Sequence, residues 1–224
     1  MTATARRDAS ASRGAALARS AAIWLGWGLV GLLAIGFIGK YVAHYLVRFD
    51  AGELADYWPR RWGFLLHILC GSGALLLGLA QFWTGLRRRW PAVHRWTGRA
   101  YLGCVGLGMI AGYYLAATTT FGPSFGLGLA GLATAWGATT GVAWYAIRKR
   151  AVELHRSWMV RSYVVTFAFV VFRLSDEYLP TRNLRPIGER EVTSAWLCWA
   201  LPLLITIVIQ GILEIRRRGR SRVA

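Results

Sequence analysis

Apolar residues dominate six stretches of the chain, and each stretch is long enough to cross a membrane as a helix. They run over residues 21–39 (with an extension towards 47), 63–83, 98–119, 125–147, 158–179 and 194–213. About 20 helical residues cross the hydrocarbon core of a bilayer. The pattern therefore predicts an all-α integral membrane protein with six transmembrane helices over 21–213, a flexible basic tail over 1–20 and a second basic tail over 214–224.

The chain is strongly basic, and its net charge has to be compared with its hydrophobicity. There are 27 Lys and Arg residues against 10 Asp and Glu residues, a net charge of +17 at pH 7. Such basicity is typical of nucleic-acid binding, but 55% of the residues are hydrophobic and the mean hydropathy is +0.39. A soluble basic domain is not this apolar. The composition therefore excludes nucleic acid and indicates the lipid bilayer as the environment of the protein.

The basic residues also predict an orientation. With the N-terminus in the cytoplasm, 19 of the 27 basic residues and only three acidic ones lie on the inner side, so the inside carries +16 and the outside +1. The positive-inside rule therefore predicts that both termini are cytoplasmic. The inner clusters Arg87–Arg89 and Arg148–Arg150 serve as topology signals, or alternatively bind anionic lipid headgroups at the cytoplasmic face.

Two of the inner turns resemble each other in sequence. At an offset of 61, the turn from Arg87 to Arg95 aligns with that from Arg148 to Arg156, which pairs His94 with His155. One residue is then inserted, and an offset of 62 aligns Trp96, Arg99 and Tyr101 with Trp158, Arg161 and Tyr163. We read these turns as an internal repeat of two helical hairpins. The repeat predicts a four-helix core over 63–179, with His94 and His155 at one depth.

The four histidines are candidates for binding a cofactor. The topology places His94 and His155 at the inner side, and His67 and His44 towards the outer side. Two levels of facing imidazoles are what a membrane electron carrier with b-type haem needs, because each haem iron takes neutral histidine nitrogens as axial ligands. Ordinary buried packing histidines remain the alternative.

The second predicted span carries a stripe of small and polar residues on one face. At about 100° per residue, seven positions fall within an arc of about 80°: Gly63, His67, Gly71, Ala74, Gly78, Gln81 and Gly85. A stripe of this kind lets a flat macrocycle lie against the backbone. It equally lets a neighbouring helix pack closely, as small residues do in membrane helix–helix contacts. Both interpretations stay open.

A second polar feature lies within the fifth predicted span. Arg173 precedes Asp176 and Glu177 by three and four residues, a spacing that predicts an ion pair on one helix. The alternative is a substrate or proton site, since ionisable groups at membrane depth often mark function.

An ordered set of motifs resembles a bacterial family of predicted multi-pass membrane proteins of unknown function. The set comprises Leu66-His67, Gly71, Gln81-Phe82, Arg87, the run His94 to Tyr101, Trp136, the run His155 to Tyr163, and Arg173. It covers about residues 63–175 and leaves out the first and last spans. The resemblance implies a helical membrane core in a bacterial inner membrane that contains His67, His94 and His155. A more distant resemblance to membrane b-type cytochromes motivates the haem hypothesis.

Two functions follow from these observations. The first is haem-b electron transfer, with His94 and His155 at the inner level and His67, together with His44, at the outer level. Electrons then pass between a quinol or cytoplasmic donor and an outer acceptor. The second is a non-catalytic membrane protein, a small transporter or assembly factor, whose polar cavity binds no cofactor.

Overall fold

The fold consists of helices arranged around a four-helix core. The computed structural model describes residues 3–52, 54, 57–83, 88–178 and 187–221, and no strand occurs among them. The helices are α1 (Ala3–Phe37), α2 (Ala43–Val47), α3 (Arg61–Phe82), α4 (Pro91–Ala117), α5 (Pro123–Arg148), α6 (Val152–Thr166), α7 (Ala168–Tyr178) and α8 (Ile187–Ser221). The predicted all-α membrane architecture is confirmed.

Five segments have the length and apolar composition of membrane spans. They are Ala16–Val47, Trp58–Phe82, Pro91–Ala117, Val152–Tyr178 and Glu189–Gly219. The sixth predicted span, 125–147, corresponds to α5, which is 26 residues long but is not among these five segments. Nine of its residues are buried, among them Thr139 and Thr140, because α5 packs between α4, α6 and α8. A helix enclosed by other helices needs fewer large apolar side chains than one that faces lipid.

The core is a ring of four helices. Helix α3 packs on α4, α4 on α5, α5 on α6, and α6 returns to contact α3, so α4 and α6 face each other across the diagonal. Helix α8 covers α5, α6 and α7, whereas α1 packs against α3 and α7. The Trp27 ring of α1 stacks on Phe82 of α3 with 4.9 Å between the ring centroids. Tyr101, Trp136 and Tyr163 fill the centre of the four-helix core, and each of them is at most 6% exposed.

The predicted span 158–179 is interrupted at Phe167. Helix α6 ends at Thr166 and α7 begins at Ala168, and the Phe167 amide is shared between the carbonyls of Tyr163 and Val164 at 3.1 and 3.2 Å. The Thr166 hydroxyl donates back to the Ser162 carbonyl at 2.9 Å. Such back-bonding by Thr bends helices. The interruption therefore lies beside the polar centre of the bundle described below.

Both ends of the chain are helical where they are described. Helix α1 begins at Ala3, within the segment 1–20 that was predicted as a tail, and α8 continues to Ser221. A π-helical turn, Ile38–Val42, joins α1 to α2, and a 3₁₀ turn, Trp58–Arg60, leads into α3. Gly85 of the stripe and Arg87 of the inner cluster lie outside the described residues.

Candidate functional site

A cavity of about 180 Å³ opens between α3, α4, α5 and the α6–α7 pair. It lies at the end of the bundle where α3 begins, which is called the outer end here because the charge pattern predicts it to face outward. Its walls are mostly apolar and include Phe64, Ile68, Leu132, Val165 and Phe169, and its polar lining includes Arg60, His67, Ser72, Trp136, Thr166 and Arg173. Of the sequence-predicted site residues, the cavity brings together His67 and Arg173.

His67 is held in one orientation by helix α4. Its Nδ1 lies 3.0 Å from the carbonyl oxygen of Gly108, and its ring meets Phe169 edge-on with 5.9 Å between centroids. Because a carbonyl oxygen only accepts, Nδ1 must carry the hydrogen, and the neutral ring keeps its Nε2 lone pair. His67 is therefore a fixed imidazole that presents an acceptor or metal-ligand nitrogen.

The small-residue stripe on α3 divides into packing and cavity positions. A Cβ atom at Gly63 would collide with the Tyr114 ring, and one at Gly78 would collide with the Tyr163 ring. Gly71, which lies between them, lines the cavity, and a Cβ there would meet nothing within 4 Å. Helix packing therefore accounts for Gly63 and Gly78, whereas Gly71 borders open space, and the macrocycle interpretation of the stripe stays a prediction.

Arg173 does not form the predicted ion pair on its own helix. Glu177 pairs with Lys40 of the π-helical turn and accepts from the Tyr41 hydroxyl, whereas Asp176 pairs with Arg190 at 3.1 Å. The Arg173 guanidinium instead lies 5.8 Å from the centroid of the Tyr41 ring. The prediction was wrong because i+3 and i+4 spacing permits a contact but does not exclude partners from other helices.

Arg60 is a site residue that sequence reasoning missed. It is only 8% exposed, donates from Nη1 to the carbonyl of Thr118, and lies 5.2 Å from the Tyr57 ring centroid. Its Nε is buried without a hydrogen-bond partner. The neighbouring Arg61 lies outside the cavity lining and stacks on Trp58 at 4.6 Å. The sequence contains no signal that separates these two adjacent arginines.

A network of hydroxyl groups forms the inner floor of the cavity. The Tyr101 hydroxyl bonds the Ser162 and Thr166 hydroxyls at 2.7 and 2.9 Å, and Ser162 also bonds Thr140 at 2.7 Å. Trp136 donates from Nε1 to Thr166 at 2.9 Å. Since Trp136 and Thr166 also line the cavity, the network connects the cavity to the buried centre of the bundle.

The inner histidines are related to this network by helical register. His94 precedes Tyr101 by seven residues on α4, and His155 precedes Ser162 by seven on α6. Seven residues are nearly two turns, about 10 Å along the axis, so each histidine lies on the same helix face as its network residue. Both histidines are half-buried. That they face each other at one level further inward stays a prediction of the sequence.

His155 is held in the same way as His67. Its Nδ1 lies 2.8 Å from the carbonyl oxygen of Ala143 on α5, so Nδ1 carries a hydrogen, and in the neutral ring Nε2 has the lone pair. His94 is half-buried at the start of α4. Two of the three histidines in the core are thus fixed, by backbone carbonyls, in one tautomer.

The remaining predicted residues lie around these sites. The Arg99 and Arg161 guanidinium groups lie over the Trp96 and Trp158 rings at 4.7 and 4.3 Å, and Arg161 also donates to Gln210 at 2.7 Å. Tyr163 donates to the Leu75 carbonyl at 3.0 Å. Tyr101 and Tyr163, aligned at the offset of 62, therefore bond to different helices, Tyr101 to α6 and Tyr163 to α3.

His44 lies apart from the cavity. It is exposed on α2 and packs against the Tyr45 ring at 4.2 Å, while Tyr41 and Tyr45 line the cavity wall in its place. The structure therefore does not bring His44 and His67 together. Across the described part of the chain, no group of three or more His, Cys, Asp or Glu residues is arranged to hold a metal ion.

Comparison with known proteins identifies one family. A family profile described as a predicted membrane protein (DUF2306) matches residues 64–213. The match extends beyond the motif pattern, which ends near residue 175, and includes most of α8. No curated protein and no solved structure has significant similarity to the chain.

Proposed function

The chain belongs to the DUF2306 family of predicted membrane proteins, and we propose that it is a b-type haem protein that carries electrons across a bacterial inner membrane. Both termini are cytoplasmic in this proposal, so the cavity opens to the outer side. The inner haem site comprises His94 and His155, and the outer site comprises His67. His44 is not included, because it is exposed and outside the cavity lining.

The observation that carries the proposal is the tautomer of two histidines. His67 and His155 each donate Nδ1–H to a backbone carbonyl, at 3.0 and 2.8 Å. Histidines that ligate metals almost always donate their other ring N–H to a carbonyl, carboxylate or water, which fixes the ring and raises the basicity of the ligating nitrogen. The two lie at two levels of the bundle, as a transmembrane electron carrier needs.

The lining of the outer cavity, which is mostly apolar beside His67, also supports a flat apolar cofactor there. Gly71 leaves open space next to the ring, and Gly108 and Gly112 of α4 line the same cavity. Haem would supply an iron that accepts and releases one electron. The chain's own residues then orient the ligating nitrogens, exclude water with the apolar walls, and separate the two levels by the Tyr101 network. A quinol or a cytoplasmic donor supplies the electrons to the inner site.

The test is the visible spectrum of the full chain, purified in mild detergent from cells supplied with a haem precursor. We expect a Soret band and, from the inner pair, a dithionite-reduced α-band of the bis-histidine type. His94→Ala and His155→Ala should bleach the same component, and His67→Ala should bleach another, each removing about half of the haem. His44→Ala is the matched control and should leave the spectrum unchanged.

The spectrum also separates the proposal from the cofactor-free alternative. Absence of any Soret band, in protein that elutes as a single folded species, overturns haem binding. In that case the cavity with His67, Arg60 and Arg173 supports the second candidate, a membrane protein that binds a small ligand without chemistry. Loss of haem in His155→Ala but not in His94→Ala overturns the inner pairing alone.

A further inference from the structure

We propose that the outer cavity binds an apolar molecule through a carboxylate group, which Arg60 and Arg173 hold at the outer end of the cavity. The inference rests on the proposed function where the molecule is haem, which carries carboxylates. It stands without that function where the molecule is a free long-chain acid. The shared chemistry is an acid group on an apolar body.

Arg60 is a buried cation in the lining of the cavity. Moving a guanidinium group from water into a site that is only 8% exposed carries a large desolvation penalty, which an anion offsets. Within the described residues Arg60 forms no ion pair, and its buried Nε has no hydrogen-bond partner. Arg60 therefore has the charge and the donor groups for an incoming anion.

Arg173 is a second cation in the same lining. It lines the same cavity from α7, and the two nearest carboxylates along its helix are used by other cations: Glu177 by Lys40, and Asp176 by Arg190. Its described contacts are with the faces of the Tyr41 and Phe172 rings. Ring faces leave the edge of a guanidinium group able to donate hydrogen bonds. Two cationic donors in one cavity thus lack an anion among the described residues.

The rest of the cavity lining indicates what kind of molecule would carry the carboxylate group. Beyond the arginines the walls are apolar, with Phe64, Ile68 and Phe169 among the lining residues, until the cavity reaches His67. Seven residues separate Arg60 from His67, a depth of about 10 Å in a helix. A singly charged carboxylate suits this buried site better than a phosphate dianion, since desolvation costs more for the higher charge. The fork of a guanidinium group also matches a carboxylate in two hydrogen bonds.

The experiment compares each acid with its ester. The full chain is placed in nanodiscs of zwitterionic phosphatidylcholine and titrated with radiolabelled palmitate or its methyl ester. In a second arm it is titrated with haem or haem dimethyl ester, followed by absorbance. The variants are Arg60→Gln and Arg173→Gln. Arg61→Gln is the matched control, because Arg61 stacks on Trp58 and donates to its carbonyl at 2.9 Å, outside the cavity lining.

We expect the acid to bind about tenfold or more tightly than its ester in at least one arm, since a charge-assisted hydrogen bond contributes at that level. Each cavity variant should remove most of this preference, and Arg61→Gln should keep it. Palmitate binding without any haem binding supports the inference and overturns the haem proposal. Haem binding that is equal for acid and ester, and unchanged in both cavity variants, overturns the inference alone. Equal palmitate and ester binding with no haem binding overturns both.

Discussion

At the scale of single residues, Tyr101 links the two halves of the core. It is completely buried, and its hydroxyl bonds Ser162 and Thr166 on the diagonally opposite helix. Helices α4 and α6 are not neighbours in the ring, so these hydrogen bonds fix their distance across the centre. The proposed pairing of His94 with His155 depends on the register that these bonds set.

Removing the Tyr101 hydroxyl should therefore destabilise the bundle. We expect Tyr101→Phe to cost about 1–2 kcal/mol, because interhelical hydrogen bonds in membranes contribute at this level. Tyr113→Phe is the matched control, since Tyr113 is 38% exposed and its hydroxyl bonds Thr134 on the surface at 2.7 Å. Thermal unfolding in detergent measures both variants. An equal loss of stability in the two would contradict a special role for Tyr101.

The residues of the cavity were only partly predictable from the sequence. His67 was predicted because it is the one histidine set within a long apolar run. The ion pair of Arg173 was predicted wrongly, since the carboxylate of Glu177 is bound by Lys40, 137 residues away. Arg60 was missed because Arg60 and Arg61 are identical in type, and only the 3₁₀ turn before α3 buries one of them. Contacts between distant helices decide these outcomes, and one sequence does not contain them.

At the scale of elements, helix α3 combines two functions on one face. Gly71 and Gly78 are seven residues apart and so point in nearly the same direction. Gly78 is buried against the Tyr163 ring, whereas Gly71 lies beside open space in the cavity. One stripe of small residues therefore packs against a neighbouring helix at Gly78 and forms a cavity wall at Gly71.

The same substitution at the two glycines should give opposite results. Gly71→Val should fill part of the cavity and weaken haem or palmitate binding, while the free energy of unfolding stays within about 0.5 kcal/mol of the original chain. Gly78→Val should displace Tyr163 and cost about 1–3 kcal/mol, as overpacking does. Ligand titration and thermal unfolding measure the two effects. Loss of stability without loss of binding in Gly71→Val would show that Gly71, too, packs against a helix.

Helix positions were more predictable than helix ends and breaks. All six predicted apolar stretches lie on observed helices, because lipid requires about 20 apolar residues whatever the neighbours are. The ends differ where polar residues continue a helix beyond the apolar part, as from Val152 to residue 158 at the start of α6. The interruption at Phe167 depends on the Thr166 hydroxyl and its bonds within the bundle. Local pattern alone does not contain that information.

At the scale of the whole molecule, the predicted topology depends on the charge of the chain and on the path of α5. The inner side carries +16 only if every one of six stretches crosses the membrane. Helix α5 is the one long core helix that lies outside the five apolar spans. If α5 did not cross, the turns with His94 and His155 would lie on opposite sides, and the facing arrangement of α4 and α6 would be lost.

Reporter fusions on either side of α5 test this topology directly. A phosphatase that is active only outside the cytoplasm is fused after Phe121, before α5, or after Lys149, behind it. We expect activity after Phe121 and silence after Lys149, because Arg148 ends the helix, Lys149 follows it, and basic turns stay inside. A fusion after Arg217 should also be silent. Activity after Lys149 would mean that α5 does not span, and it would overturn both the shared side of the termini and the inner histidine pair.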